Sequence, residues 1–427
     1  MLATFRNAWK IPDLRKKLLY VIFAIIVFRL GYAIYVPFVD TQALAQQFMA
    51  NSGNLLGYFN ILAGGGLQTA SVFALSIYPY INSSIIIQLL QVVFPSLEKL
   101  AKEGGEEGKK KLAMITRLLA LVLAIVMGFS YQLMLRSYGV MTRTDVWSTI
   151  VIIATFVAGA MFVVWLGDKI TKHGIGNGIS ILLFVGIVSR GPSLVSSVIN
   201  GVKSGELTWW KLIIILAISI GIIAFIIFIT EAERRIPVQY AKRVVGRKQY
   251  GGQSTNLPMK VNMAGVMPVI FASTIVSVPA TIIAFTNPAE GTFWYNFANK
   301  WFAQGAPLYI IIYVILIFAF AYFYAAIQFN PVEVANNLRK NGGFIPGFRP
   351  GRPTSDFIHK VLNKITMMGA IFLAIIAGLP LVMSNINGLA GLAIGGTSVL
   401  IMVGVALETV RAIENEMLMR HYKGFLE

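Results

Sequence analysis

The stretch NLLGYFNILAGGGLQTASVFALSIYPYINSSIIIQLLQ, residues 54 to 91, decides how this chain is read. It opens as a short apolar run, Leu55, Leu56, Tyr58, Phe59, Ile61 and Leu62, which Gly64, Gly65 and Gly66 interrupt. Each glycine costs about 1 kcal/mol against alanine inside a helix, so three in a row mark a break between two pieces. The first piece is too short to cross a bilayer, which takes about 20 apolar residues; the second, helical from about Ser71, is long enough. A half-helix feeding a full helix leaves irregular backbone at membrane depth, tolerated only inside protein or beside a water-filled cavity. A re-entrant packing element and a movable stopper lining a pore both fit.

The rest of the chain is equally one-sided. Of its 427 residues, 56% are hydrophobic and 13% charged. A soluble domain carries about twice that charge, so the chain is a polytopic membrane protein. It has no cysteine, and His173, His359 and His421 are scattered, which leaves no thiolate or histidine set for a metal. Windows of about 20 apolar residues place ten spans, near 18–37, 72–94, 112–135, 147–166, 175–190, 211–230, 263–286, 307–327, 365–383 and 389–407. The first continues to Pro37 with no cleavage signal, so it reads as an uncleaved span.

Lys and Arg set the orientation. The N-terminal Arg15-Lys16-Lys17, Lys109-Lys110-Lys111, and the long loops 231–262 and 330–364 fall on one side, with the C-terminal tail. The other side holds only Arg136, Arg143, Arg190, Lys203, Lys211 and Lys300. Both termini are therefore expected in the cytoplasm. Residues 191–210, read as an external hinge loop, divide an N-terminal half (1–190) from a C-terminal half (211–427). Five spans per half run the halves in opposite directions, as inverted repeats do. The two long basic loops exceed what a connection needs, so either they have a task or they merely obey the positive-inside rule.

Two motifs fail. Gly104 to Lys110 has the wrong glycine spacing for a phosphate loop and lacks its Ser or Thr; Gly174 to Gly178 breaks the dinucleotide pattern at Ile179. No carboxylate pair or nucleophile–base arrangement sits within the spans, so no catalytic residue, cofactor or metal is assigned. Arg29 and Arg117 lie well inside apolar windows, with snorkelling the better reading for Arg117. No Asp, Glu or His is near a midplane, where an ion-coupled transporter usually keeps one.

Six stretches, in order, resemble the SecY family, the channel subunit of the protein translocase. They are Ile77 to Leu90 (IYPYINSSIIIQLL), Gly174 to Ser180 (GIGNGIS), Arg234 to Arg243 (RRIPVQYAKR), Val261 to Pro268 (VNMAGVMP), Phe344 to Gly351 (FIPGFRPG) and Gly395 to Ile401 (GGTSVLI). The tail after Glu408 and the outer loop 287–306 match nothing in that pattern, and Leu183 stands where the family often has Ile.

The resemblance implies an all-α polytopic fold of two inverted five-helix halves around an hourglass pore. It also implies a re-entrant plug near 55–66, carrying Leu56, Tyr58, Phe59, Ile61, Leu62 and Gly64 to Gly66. Carried over by position, Ile77, Ile81, Ile179, Leu183, Ile270 and Ile401 form the pore ring; the pairs 77/81 and 179/183 have the i, i+4 spacing that puts both on one face. Without the resemblance these residues read as ordinary lipid-facing or core isoleucines. The lateral gate would include Asn82, Ser83, Gln88, Asn262 and Val278, although ordinary interhelical hydrogen bonding predicts the same polar residues. Arg243, Arg247, Lys248 and Arg349 would receive cytoplasmic partners.

The expected partners are SecE-like and SecG-like small subunits, a SecA-like motor ATPase, the ribosome, signal sequences, secretory polypeptides and membrane lipids. By the same resemblance, a partner would supply the energy and the place would be a bacterial plasma membrane. A secondary transporter with inverted repeats and a broken helix is the alternative.

Overall fold

The computed structural model describes residues 2–50, 64–189, 191–203, 209–240, 243–245, 248–250, 254–286, 301, 306–383 and 396–423. In chain order the elements are α1 (Leu2–Lys10), α2 (Pro12–Tyr32), α3 (Thr41–Ala50), α4 (Tyr78–Val93), α5 (Pro95–Lys102), α6 (Gly105–Ser137), α7 (Val146–His173), α8 (Gly178–Val188), α9 (Gly191–Lys203) and α10 (Trp209–Glu231). Four strands follow: β1 (Glu233–Tyr240), β2 (Arg243–Val245), β3 (Lys248–Tyr250) and β4 (Ser254–Lys260). Then come α11 (Met267–Thr286), α12 (Pro307–Gln328), α13 (Pro331–Lys340), β5 (Gly343–Phe344), α14 (Arg352–Met383) and α15 (Gly396–Lys423).

Among the described residues four runs are long and apolar enough to cross a membrane: Gly105–Ser137, Val146–His173, Pro307–Lys340 and Arg352–Leu379. A fifth is broken, with α5 turned 105° from α4. Proline opens several helices, at Pro12, Pro307 and Pro331, where its missing N–H costs nothing.

The chain forms two compact units. The first holds Met1–Thr208, Ser277–Gln304 and Val405–Glu427. Its core joins the loop after α2, the segment before α4, and helices α6 and α7, through Val36, Ala70, Leu75, Ala124, Leu135, Ile152 and Phe156. The tail that matched no family pattern continues α15. Its Ile413 is buried with Ala8, Leu14 and Ile175, and Glu416 Oε1 lies 2.7 Å from Lys17 Nζ.

The second unit is Trp209–Val276 and Gly305–Gly404. It departs from an all-α fold, because both long loops contribute to a three-stranded sheet of order β4-β1-β5. The physical reason is period two in Glu233–Tyr240: Ile236 and Val238 are buried while Arg235, Pro237 and Gln239 face outward. Ile236 and Val238 join Met259, Ala325, Ile345 and Ile358 in one core, which fastens the sheet to α12 and α14.

A second correction concerns the helix expected from Ser71. Residues 64–77 are turns and one isolated bridge, and α4 begins only at Tyr78. Pro79 has no N–H to donate to the Leu75 carbonyl, and its ring restricts Tyr78. Ala70 and Ser76 have φ of 43° and 48°, which ends any helix before them. Within 191–210, residues 191–203 are helical as α9.

Candidate functional site

Leu56, Tyr58, Phe59, Ile61 and Leu62 lie outside the described residues, but the end of that segment is placed. Gly64 and Gly65 have φ of 65° and 88°, a region glycine enters at no steric cost. A Cβ on Gly64 would stand 3.1 Å from both the Cα and the carbonyl oxygen of Gly186 in α8. Ile179, Leu183 and Gly186 follow the i, i+4, i+7 spacing of one helix face. Gly64, the first of the triplet, thus meets α8 on the face that bears Ile179 and Leu183.

Beyond the triplet the chain is clamped on several sides. Val36 N–H donates to the Ala70 carbonyl and Val72 N–H to that of Ile34, each at 2.9 Å. The Tyr131 hydroxyl donates to the Leu67 carbonyl. Phe73 stacks between Phe28 and Phe162, with ring centroids 6.0 and 5.7 Å away. Gly159 of α7 lets the Val72 carbonyl approach so closely that a Cβ there would lie 2.0 Å from it.

This clamp delivers the chain to α4 at Ile77, its N-cap, which is fully buried; Ile81, one turn on, is also buried. The start of α8 is equally defined. Asn177 Oδ1 accepts from the N–H groups of Ile179 and Ser180 at 3.0 and 3.4 Å, and Thr171 Oγ1 accepts from Gly178 N–H at 2.9 Å. That N-cap fixes where α8 starts, and so the phase of Ile179 and Leu183. The other two expected ring residues belong to the second unit: Ile270 is half-buried on α11, and Ile401 is buried on α15. The six residues therefore sit on two helices of each unit.

The polar residues of α4 bond along their own helix. Ser83 Oγ donates to the Tyr80 carbonyl at 2.8 Å, and Gln88 Nε2 to Ser84 Oγ at 3.0 Å. Asn82 Oδ1 is buried and accepts no hydrogen bond from the described residues. Asn262 is buried in the turn before α11, and Val278 falls within α11.

Sequence reasoning missed one charged pair. Arg117 Nη2 of α6 lies 2.5 Å from Asp168 Oδ2 of α7. Asp168 stands two residues beyond the expected span 147–166, so it escaped notice; α7 continues to His173. Arg117 thus has a carboxylate partner inside the protein, in addition to any reach toward headgroups. An unpaired Arg at the centre of a span costs about 2.5–3.5 kcal/mol on insertion scales, which a partner offsets.

On the polar side, the β1–β5 pairing joins the two long loops, with Gln239 opposite Phe344 and Tyr240 opposite Gly343. Arg243 and Lys248 lie on the β2–β3 hairpin, whose last pair is Val245 with Lys248; Arg247 lies outside the described residues. Arg349 is exposed in a turn between Gly347 and Gly351, with φ of 88° and 108°. Its carbonyl accepts from Thr354 Oγ1 at 2.8 Å, and the ring of its neighbour Phe348 stacks on Phe357 at 4.1 Å. The turn that carries Arg349 is therefore fixed on both sides.

The chain is similar to known proteins over most of its length. The SecY family profile matches residues 71–410. A curated relative, protein translocase subunit SecY of Streptomyces scabiei, is 43% identical over 443 residues, covering the whole of both chains. A second, from Thermotoga maritima, is 44% identical and covers all of this chain and 98% of its own length. Among solved structures, that of a protein conducting channel superposes with a TM-score of 0.66 at 17% identity, over 95% of this chain and 93% of that one. The canine Sec61 in a ribosome-channel complex gives 0.64, also at 17% identity, over 95% and 93%. With a family match from the clamped segment to α15 and full-length relatives at this identity, the chain belongs to the SecY family.

Proposed function

We propose that the chain is a protein-conducting channel that passes unfolded secretory polypeptides across a membrane and releases hydrophobic segments sideways into lipid. The observation that carries this reading is the approach of Gly64 to Gly186. It brings the end of the broken element to the α8 face that bears Ile179 and Leu183. Ten spans in two inverted halves, 1–190 and 211–427 with 191–210 as hinge, would place Ile77, Ile81, Ile179, Leu183, Ile270 and Ile401 around the neck. A ring of branched aliphatics excludes ions by dewetting, yet its side chains part for a peptide. The segment 55–66 plugs the neck at rest.

Asn82, Ser83, Gln88, Asn262 and Val278 form the seam through which a signal helix leaves. The unpaired Asn82 Oδ1 supports that role, since a polar group with no bond to lose is free to meet an incoming segment. The joined loops, with Arg243, Arg247, Lys248 and Arg349, receive a motor ATPase or a ribosome on the cytoplasmic side, where both termini lie. SecE-like and SecG-like subunits complete the complex in a bacterial plasma membrane. Engagement of Asp168 by Arg117 leaves that carboxylate paired, which supports a channel over an ion-coupled transporter.

Reconstitution of the complex with and without the motor ATPase tests the proposal. ATP-dependent protection of a presecretory protein from added protease is the expected result. Its absence, with ion-coupled uptake of a small solute in its place, would overturn it.

A further inference from the structure

The Arg117–Asp168 pair stands where three helices meet, since α4 packs on both α6 and α7, and α6 packs on α7. Tyr80, in the first turn of α4 between Ile77 and Ile81, is half-buried and lies in the electrostatic field of both charges. The pair itself is partly shielded, with side-chain exposures of 44% for Arg117 and 24% for Asp168. That turn of α4 is bonded to its own backbone by Tyr78 N–H to the Leu75 carbonyl at 3.3 Å and by Tyr80 and Ile81 N–H to the Ile77 carbonyl at 3.1 Å each. It begins at an N-cap, Ile77, that offers no side-chain hydrogen bond, and Pro79 donates none.

We propose that the Arg117–Asp168 ion pair is a positioning element that holds the first turn of α4, and with it Ile77 and Ile81, in the closed arrangement. This rests on the channel reading above. The two charges tie α6 to α7 at the level of Tyr80, and the groove so formed fixes where that turn sits. Loss of one partner leaves a bare charge in an apolar setting; it draws water or headgroups inward, loosens the groove, and lets the turn move.

The test uses the full chain with its natural small subunits in planar bilayers. Arg117→Gln and Asp168→Asn should each raise resting ion conductance about tenfold, and each should admit clients with defective signal sequences. The charge exchange Arg117→Asp with Asp168→Arg should return conductance to within about threefold of the parent, which a residue needed only for insertion would not do once protein amounts are matched. Parental conductance in both single variants overturns the assignment. If a single variant does not accumulate, the double variant Arg117→Gln with Asp168→Asn, which leaves no bare charge, decides: raised conductance supports the assignment and parental conductance overturns it. Ile81→Asn serves as the control for the underlying reading. Leak in Ile81→Asn with parental conductance in the pair variants defeats this inference alone, whereas a silent Ile81→Asn defeats the channel neck itself.

Discussion

Tyr240, the last residue of β1, pairs with Gly343 at the start of β5. Through that pair the loop after α10 and the loop after α12 become one surface, held to α12 and α14 by Ile236, Val238 and Met259. Arg349 follows β5 by five residues, in a turn beside that sheet, and β1 and β4 of the sheet adjoin α10 and α11 along the chain.

The join can be cut at one position. A Cβ on Gly343 would lie 2.9 Å from the Tyr240 ring, so Gly343→Val should push that ring aside and loosen the pairing of the two loops. Stimulation of the motor ATPase by reconstituted complex should fall at least about fivefold, while membrane insertion is unchanged because the site lies outside the apolar spans. Equal stimulation in variant and parent would show that the loops act separately.

Arg349→Glu should abolish productive coupling to the motor or ribosome. An exposed charge contributes within about 0.5 kcal/mol to stability, so thermal unfolding should not shift. The motive is the fixed turn between Gly347 and Gly351. Normal translocation by this variant removes Arg349 from the docking surface.

Gly64→Val tests the seat of the plug. At φ of 65° an L-residue costs about 1–2 kcal/mol, and its Cβ would meet Gly186 at 3.1 Å. That strain should favour the open state by about 5–30-fold, read as resting conductance in single-channel records. Deletion of Leu56 to Gly65 should leave an inserted protein with a larger leak; failure to insert would make the segment a packing element instead.

Ile81→Asn, Ile270→Asn and Ile401→Asn should each wet the neck. Water gains no hydrogen bonds from an aliphatic ring and does gain them from an amide, so the dry barrier falls. Ile81 and Ile401, which are buried, also each contribute roughly 2 kcal/mol of packing, which their loss takes from the closed state. Higher resting conductance and export of a signal-defective client should appear together. Ile213, 65% exposed on α10, supplies the contrast: Asn there should impair insertion and change neither readout.

The amino-acid sequence by itself determined that the chain is a helical membrane protein, that residues 54–91 contain a break, and that its motifs follow the SecY order. Those properties are local: apolar runs, glycine triplets and proline positions act through neighbouring backbone and need no distant partner. The start of α4 was misplaced because apolar character alone does not separate helix from clamped turns, and at Tyr78 it is Pro79 and the bonds to Ile34 and Val36 that decide. Other features belong to the tertiary structure. Gly64 meets Gly186, Arg117 meets Asp168, and Tyr240 pairs with Gly343, each across 50 residues or more. Period two in Glu233–Tyr240 was present to be read, yet the two-residue β5 that completes the sheet is too short to carry any pattern; its pairing exists only because the folded chain brings a free strand edge beside it.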